Sequence, residues 1–381
     1  MIKRLALTAA STLLLTACAG FFDKDNTPTP TPLTPFTAEI KPTLLWSAKV
    51  GSGSNDTYLK LSPSLSGDAI YTSSANGVVT ATNKHNGNTF WSVNTKTPIT
   101  SGTGVGSGMV VVGSRQGDVI SLQQSDGRLL WKTNVSGEVL AKPAIGNNTI
   151  VVKTIDGTIH TLAASDGHLL WTYQQTEPSL ILRGSSAPLV RDNIIFAGFA
   201  NGNLAKIGLR NGQLDWSRPI AIAVGGFSIE RMIDIDADPF VYGHRVFAAT
   251  YQGKIASLDW NSGNTLWSHD ISSYTGMTAD DDSIYISDAS GYIWAFGANN
   301  GLVNWRQTQL EARNVSPPAV MGNYVVVGDA EGYLHWLGKR DGHFAGREFA
   351  GNTIMAAPIV ENNVLYALTS NGSLVAYTLS S

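Results

Sequence analysis

Few residues of this chain have types and spacings suited to catalysis or metal binding. Asp234-x-Asp236-x-Asp238 carries the alternating carboxylates that open a calcium loop. The sixth position of such a loop would be Pro239, where a sharp turn needs Gly, and the twelfth would be Arg245, where a bidentate Glu is needed. A solvated acidic loop fits the residues better than a cation cage. The histidines, His85, His160, His168, His244, His269, His335 and His343, have no paired helical ligand spacing. His168 and His343 each follow a turn glycine and read as exposed turn residues. No nucleophile elbow is present, and no glycine-rich stretch leads into a helix to cradle phosphate. Cys18 is the sole cysteine, so an intrachain disulfide and a thiolate metal site are both excluded.

Cys18 itself belongs to a different chemistry. Lys3 and Arg4 precede a short apolar stretch, Leu5 to Thr16, as in a secretory leader. That stretch is shorter than the roughly 20 apolar residues a bilayer span requires. Leu15-Thr16-Ala17-Cys18 resembles a bacterial lipobox, which would make 1–17 a signal peptide and Cys18 the lipid-bearing N-terminus. Ala19 stands where an Asp would imply inner-membrane retention, so the resemblance implies the outer membrane, on its periplasmic side. Thr27-Pro28-Thr29-Pro30-Thr31-Pro32-Leu33-Thr34-Pro35 then forbids helix and favours extended backbone, so 18–42 reads as a lipid-anchored tether. A reach of roughly 70 Å follows for that segment if it is free.

What remains, 43–381, is repetitive. A polar-Gly turn recurs at Gly77, Gly117, Gly157, Gly202, Gly253, Gly291, Gly332 and Gly372. Ten residues after the first seven stands another glycine, and four residues beyond that stands Trp91, Trp131, Trp171, Trp216, Trp267 or Trp305, with Gly346 in the seventh place. Pro63, Pro143, Pro188, Pro239, Pro318 and Pro358 lie fourteen residues before the turn glycine, where their missing N–H suits an edge strand. Short β-branched runs between these markers give four strands per unit. Repeats of about 40 residues with four strands each predict an all-β, eight-bladed β-propeller. The eighth unit stops after its third strand, and Leu44-Leu45-Trp46-Ser47 supplies the missing outer one. The N-terminal strand therefore closes the ring. With 14% charged residues and a net charge of -3, the surface offers no basic face for nucleic acid.

Departures from the average unit show where loops carry added function. Two neighbouring connections from outer to inner strand are long, 17 residues from Trp171 to Pro188 and 23 from Trp216 to Pro239. The first contains Pro178-Ser179-Leu180-Ile181-Leu182-Arg183-Gly184 and the second Arg231-Met232-Ile233-Asp234-Ile235-Asp236. Apolar residues beside Arg and Asp compose either an interface anchor or, if Leu180, Leu182 and Ile233 fold back, plugs between blades.

These two phrases, the eight units, the lipobox and Gly328-Asp329-Ala330-Glu331-Gly332-Tyr333-Leu334-His335-Trp336 resemble the BamB family, lipoprotein propellers of the outer-membrane β-barrel assembly (BAM) machinery. The resemblance runs over essentially all of the chain after the Pro-rich segment. It implies a non-enzymatic scaffold, a monomer within a hetero-oligomeric complex, that binds the periplasmic POTRA domains of BamA and aids folding and insertion of outer-membrane proteins. Carried over residue by residue, the partner contacts are Leu180, Leu182, Arg183, Asp234 and Asp236. Unfolded outer-membrane proteins are a further class of partner it implies, and no cofactor is. The Gly-x-x-x-Trp motif also resembles pyrroloquinoline quinone dehydrogenases, but those need a vicinal disulfide that one cysteine cannot form. A glycan- or peptidoglycan-binding propeller is the third class, distinguished by retention on cell wall without BamA.

Overall fold

The structure, a computed structural model, describes residues 28–54, 57–280 and 282–379. The leader 1–17 and Cys18 lie outside the described residues. Eight four-stranded antiparallel sheets form the blades of a propeller, as the repeat predicts. Blade one consists of Ser64–Ser66, Ala69–Ser73, Val78–Asn83 and Thr89–Asn94. Blades two to seven occupy 104–134, 144–174, 189–219, 240–270, 276–307 and 319–349. Blade eight joins Ile359–Glu361, Val364–Leu368 and Ser373–Leu379 to the N-terminal Pro42–Lys49, which pairs from Pro42 opposite Leu379 to Lys49 opposite Ser373. First strands of successive blades meet around the axis. Each of the six prolines immediately precedes such a strand or its equivalent, where no ladder donor is required. The core lies between blades: Tyr71, Val79 and Ala81 of blade one pack on Val110, Val112 and Ile120 of blade two.

The recurrent Trp and Gly form one device. A bulge precedes each Trp in the outer strand, as at Ala81/Thr82 opposite Trp91, and re-aims the side chain. Its indole N–H then donates to a carbonyl of the next blade: Trp91 to Gln124 at 3.0 Å, Trp131 to Ala164 at 2.9 Å, Trp305 to Lys339 at 2.7 Å. The ring lies on the glycine of the following third-to-fourth turn. At Gly127, φ is +73° and a Cβ would stand 2.6 Å from the Trp91 ring. Gly127→Ala is expected to cost about 2 kcal/mol through left-handed strain and a displaced indole. A lowered urea midpoint with altered tryptophan emission checks it, and an unchanged midpoint would refute the staple.

Seven junctions carry this staple; that between blades seven and eight does not. Gly346 occupies the Trp position, and a Cβ there would sit 2.9 Å from Ile40. Glu39 and Ile40 N–H both donate to the Ala345 carbonyl. Ile40 thus fills the place of the eighth Trp. Of the segment read as a tether, the described part, 28–41, is docked on the ring. Leu33 and Phe36 pack against the core between blades six and seven, and the Phe36 ring lies tilted against Phe344 with centroids 5.6 Å apart. The reach of a free 18–42 segment therefore does not apply to residues 28–41. Proline spacing reports an extended backbone, whose unpaired N–H and C=O groups are free to find partners elsewhere. It does not report whether apolar residues interspersed with the prolines have a groove to enter.

Candidate functional site

In an antiparallel four-stranded blade the outer-to-inner connections and the second-to-third turns open on one face. The third-to-fourth turns open on the other. The long loops 175–188 and 220–239 therefore share a rim, flanking blade four. The structure brings Leu182, Arg183, Asp234 and Asp236 together, and leaves Leu180 exposed two residues before Leu182.

The feet of the loops are set by polar contacts to blade four. Asn201, in the second-to-third turn, donates through its side chain to Gln175 Oε1 at 2.9 Å, and its N–H donates to Glu177 Oε2 at 3.1 Å. The two loops are then joined by the alternating aspartates. On extended backbone, residues two apart face the same side. Asp234 Oδ1 accepts the Leu182 N–H at 2.8 Å, and Asp238 Oδ1 accepts the Ala187 N–H at 2.7 Å. Asp236 lies between them, packed on Gly184 so closely that a Cβ there would fall 2.5 Å from Oδ2. Lys60 faces Asp238 at 3.5 Å. Among the described residues no three His, Cys, Asp or Glu side chains gather as metal ligands.

Asp234 and Asp236 are buried. Each has an Oδ2 that is shut from solvent and has no hydrogen-bond partner. Burial pushes the Asp234 carboxyl up to about 6 against the pull of the Leu182 N–H. Burial, and then the charge of Asp234, push Asp236 up to about 7, against the opposing charges of Lys153 and Lys60. Both carboxyls act inward, on the loops. The folded chain takes up a proton at Asp236 as pH falls through about 7, while an ordinary unfolded aspartate waits until about 4. Falling pH across that window stabilises the fold. Asp236→Asn removes this titration and is expected to erase about 2 kcal/mol of the wild type's relative gain between about pH 8 and pH 5. Urea midpoints of both proteins at the two pH values test this, and parallel profiles would contradict it.

The surface so positioned is amphipathic. Leu180 is exposed, Leu182 half-buried, and Arg183 half-exposed with Nη2 donating to Glu138 Oε1 at 2.8 Å. Ile233 and Ile235 do fold back as plugs, against Gly202 and Gly198 of blade four. The sequence reading missed the outer half of the second loop. Ile222, Val224, Phe227 and Ile229 are 79%, 78%, 72% and 61% exposed, the most exposed large apolar side chains on this rim. Glu230 Oε2 accepts the N–H groups of Gly226 at 2.8 Å and Phe227 at 3.1 Å, fixing the tip that presents them. The signal was available: Ile220-Ala221-Ile222-Ala223-Val224 is an apolar run inside the longest connection, where no strand requires one. Toward the axis the same rim opens into a cavity of ≈ 410 Å³ whose wall includes Leu182, Arg183, Asp236 and the tyrosines Tyr58, Tyr251 and Tyr274. Burial raises the pKa of the Tyr274 hydroxyl, which stays neutral there.

A family model described as outer membrane protein assembly factor BamB matches residues 75–307. The outer membrane protein assembly factor BamB of Pseudomonas aeruginosa is 46% identical over 378 residues, covering 99% of each chain. The crystal structure of BamB from Moraxella catarrhalis superposes with a TM-score of 0.82 at 27% identity, covering 89% of this chain and all of that one. A quinohemoprotein alcohol dehydrogenase from Comamonas testosteroni shares the fold alone, with a TM-score of 0.71 at 12% identity over 88% of this chain and 76% of that one.

Proposed function

The chain belongs to the BamB family of outer membrane protein assembly factors, and from that premise we propose that it is a non-enzymatic scaffold of the BAM complex. It binds POTRA domains of BamA through the rim built by loops 175–188 and 220–239, and so aids folding and insertion of β-barrel proteins. Lipid on Cys18 anchors it to the periplasmic side of the outer membrane. One observation carries the reading: two exposed elements share this rim, an apolar tip whose turn Glu230 fixes and Arg183 on a loop fixed by the buried Asp234 and Asp236. Rigid apolar anchors beside an arginine are the composition of binding hot spots, and pre-ordering them lowers the entropic cost of docking. In this reading Leu180, Arg183, Phe227 and Ile229 touch the partner. Leu182, Asp234 and Asp236 hold the first loop in place, and Glu230 holds the tip. A photo-crosslinking residue at position 180 or 227, in cells, is expected to capture BamA, while one at position 86 on the opposite face does not. Capture of BamA from 86 alone, or from none of the three, would reject the rim as the docking site.

A further inference from the structure

The docked segment 28–41 fixes where the chain leaves the ring. Thr31 N–H donates to the Glu311 carbonyl at 3.0 Å, and the Thr31 carbonyl accepts from Arg313 Nη1 at 3.0 Å. Glu311 and Arg313 lie in the connection from blade six to blade seven, on the face that carries the two long loops. Eight residues later Glu39 Oε1 meets His343 Nε2 at 3.0 Å, and His343 belongs to a third-to-fourth turn on the opposite face. The segment therefore crosses the outer wall of the ring from one face to the other. Between these ends Arg347 Nη1 donates to the Thr34 carbonyl at 3.2 Å, and its guanidinium lies 4.9 Å from the Phe36 ring centre. The N-terminal end of this strap opens on the face of the docking rim.

We infer that the strap orients the propeller on a lipid surface, turning the face of loops 175–188 and 220–239 toward the membrane with the edge of blades six and seven nearest to it. The inference rests on the lipid-anchor reading of Cys18. Thirteen Cα-to-Cα steps separate Cys18 from Thr31, so the exit point lies at most about 45 Å from the attachment. An undocked segment would extend this limit by the length of 28–41 and leave either face free to approach. Holding the rim at short range raises its effective concentration for a partner embedded in the same bilayer.

The test uses the mature lipid-bearing chain in phosphatidylethanolamine/phosphatidylglycerol vesicles that carry an acceptor dye on their headgroups. A donor dye is placed by Ser290→Cys or Asn299→Cys, exposed positions on opposite faces of blade six. The strand Ile293–Gly297 between them sets a separation of about 17 Å along the ring axis. Transfer from 290 is expected to exceed that from 299 by about twofold at such a separation. Leu33→Ser with Phe36→Ser releases the strap and is expected to equalise the two. Twenty Gly/Ser residues inserted between Pro28 and Thr29 leave the packed side chains intact and should equalise them as well, which decides the matter if the double variant fails to fold. Equal or reversed transfer in the parent, or a preference that survives both changes, overturns the orientation alone. Failure to float with vesicles, or floating that Cys18→Ala leaves unchanged, overturns the anchor reading and the inference with it.

Discussion

Asp329→Ala is expected to destabilise the ring by about 3 to 5 kcal/mol, the range for breaking a buried ion pair by removing one partner. The Arg313 and Asp329 side chains are 2% and 0% exposed, and Arg313 Nε donates to Asp329 Oδ2 at 2.8 Å. His335 Nε2 lies 2.9 Å from the same oxygen, and Oδ1 accepts the N–H groups of Glu331 at 3.0 Å and Tyr333 at 2.9 Å. Burial alone would raise the Asp329 pKa. The hydrogen bond from His335, then the Tyr333 N–H and the Arg313 guanidinium, hold it below the usual carboxylate range. Burial lowers the His335 pKa, and Arg347 Nε donates to Nδ1 at 3.2 Å, so the network assigns a neutral ring with its proton on Nε2. Alanine at 329 strands Arg313 Nε and three further donors, His335 Nε2 and the N–H groups of Glu331 and Tyr333, leaving the guanidinium only Glu331 as a carboxylate partner. Arg313 also holds the Thr31 carbonyl, so the variant should expose 28–41 to proteolysis before the ring unfolds. A lower urea midpoint at unchanged slope, with early cleavage of the strap, is the expected result; a shift under about 1 kcal/mol would show that the pair is not a keystone.

The same cluster shows what the sequence made legible. Gly328-Asp329 and Glu331-Gly332 marked a turn, because turn glycines recur at a fixed period and the hairpin geometry is local. Blade number, strand order and closure through Trp46 follow from such local rules, and all three stand in the structure. That Asp329 would meet Arg313 and the strap depends on how blade seven packs on blade six, which no periodicity encodes. The strap is a second case: Ile40 substitutes for a tryptophan 306 positions distant, at Gly346. The loops are a third. Asp234 and Asp236 read from the residues as part of a solvated acidic loop, and the family resemblance implied them as partner contacts. They are buried because loop 175–188 brings its own N–H group at Leu182 and the backbone at Gly184 against them. An acidic residue alternating with Ile or Ala has two faces, and sequence alone does not tell which of them a neighbouring loop will cover.

This division between holding and contacting residues leads to the second large effect. On the docking proposed above, Arg183→Glu is expected to lower affinity for BamA by about a hundredfold, roughly 3 kcal/mol, while leaving the fold intact. The loop around it is fixed by the Leu182 N–H on Asp234, the Gly184 backbone on Asp236 and the Ala187 N–H on Asp238. None of these uses the side chain at 183. Its guanidinium instead spans the rim to Glu138, which Arg115 Nε also meets at 3.3 Å. A glutamate there would face Glu138 as a like charge and swing outward, replacing a donor fork with a carboxylate where the partner must dock. Denaturation within about 0.5 kcal/mol of wild type, as for an ordinary surface change, would confirm the intact fold. Recovery of BamA from a detergent extract should fall to background. Arg210→Glu makes the same charge change on the opposite face of blade four and should recover BamA normally, separating a local contact from general electrostatic attraction. Equal recovery with both variants would remove Arg183 from the interface. Loss with both would mean that net charge, and not this rim, governs the association.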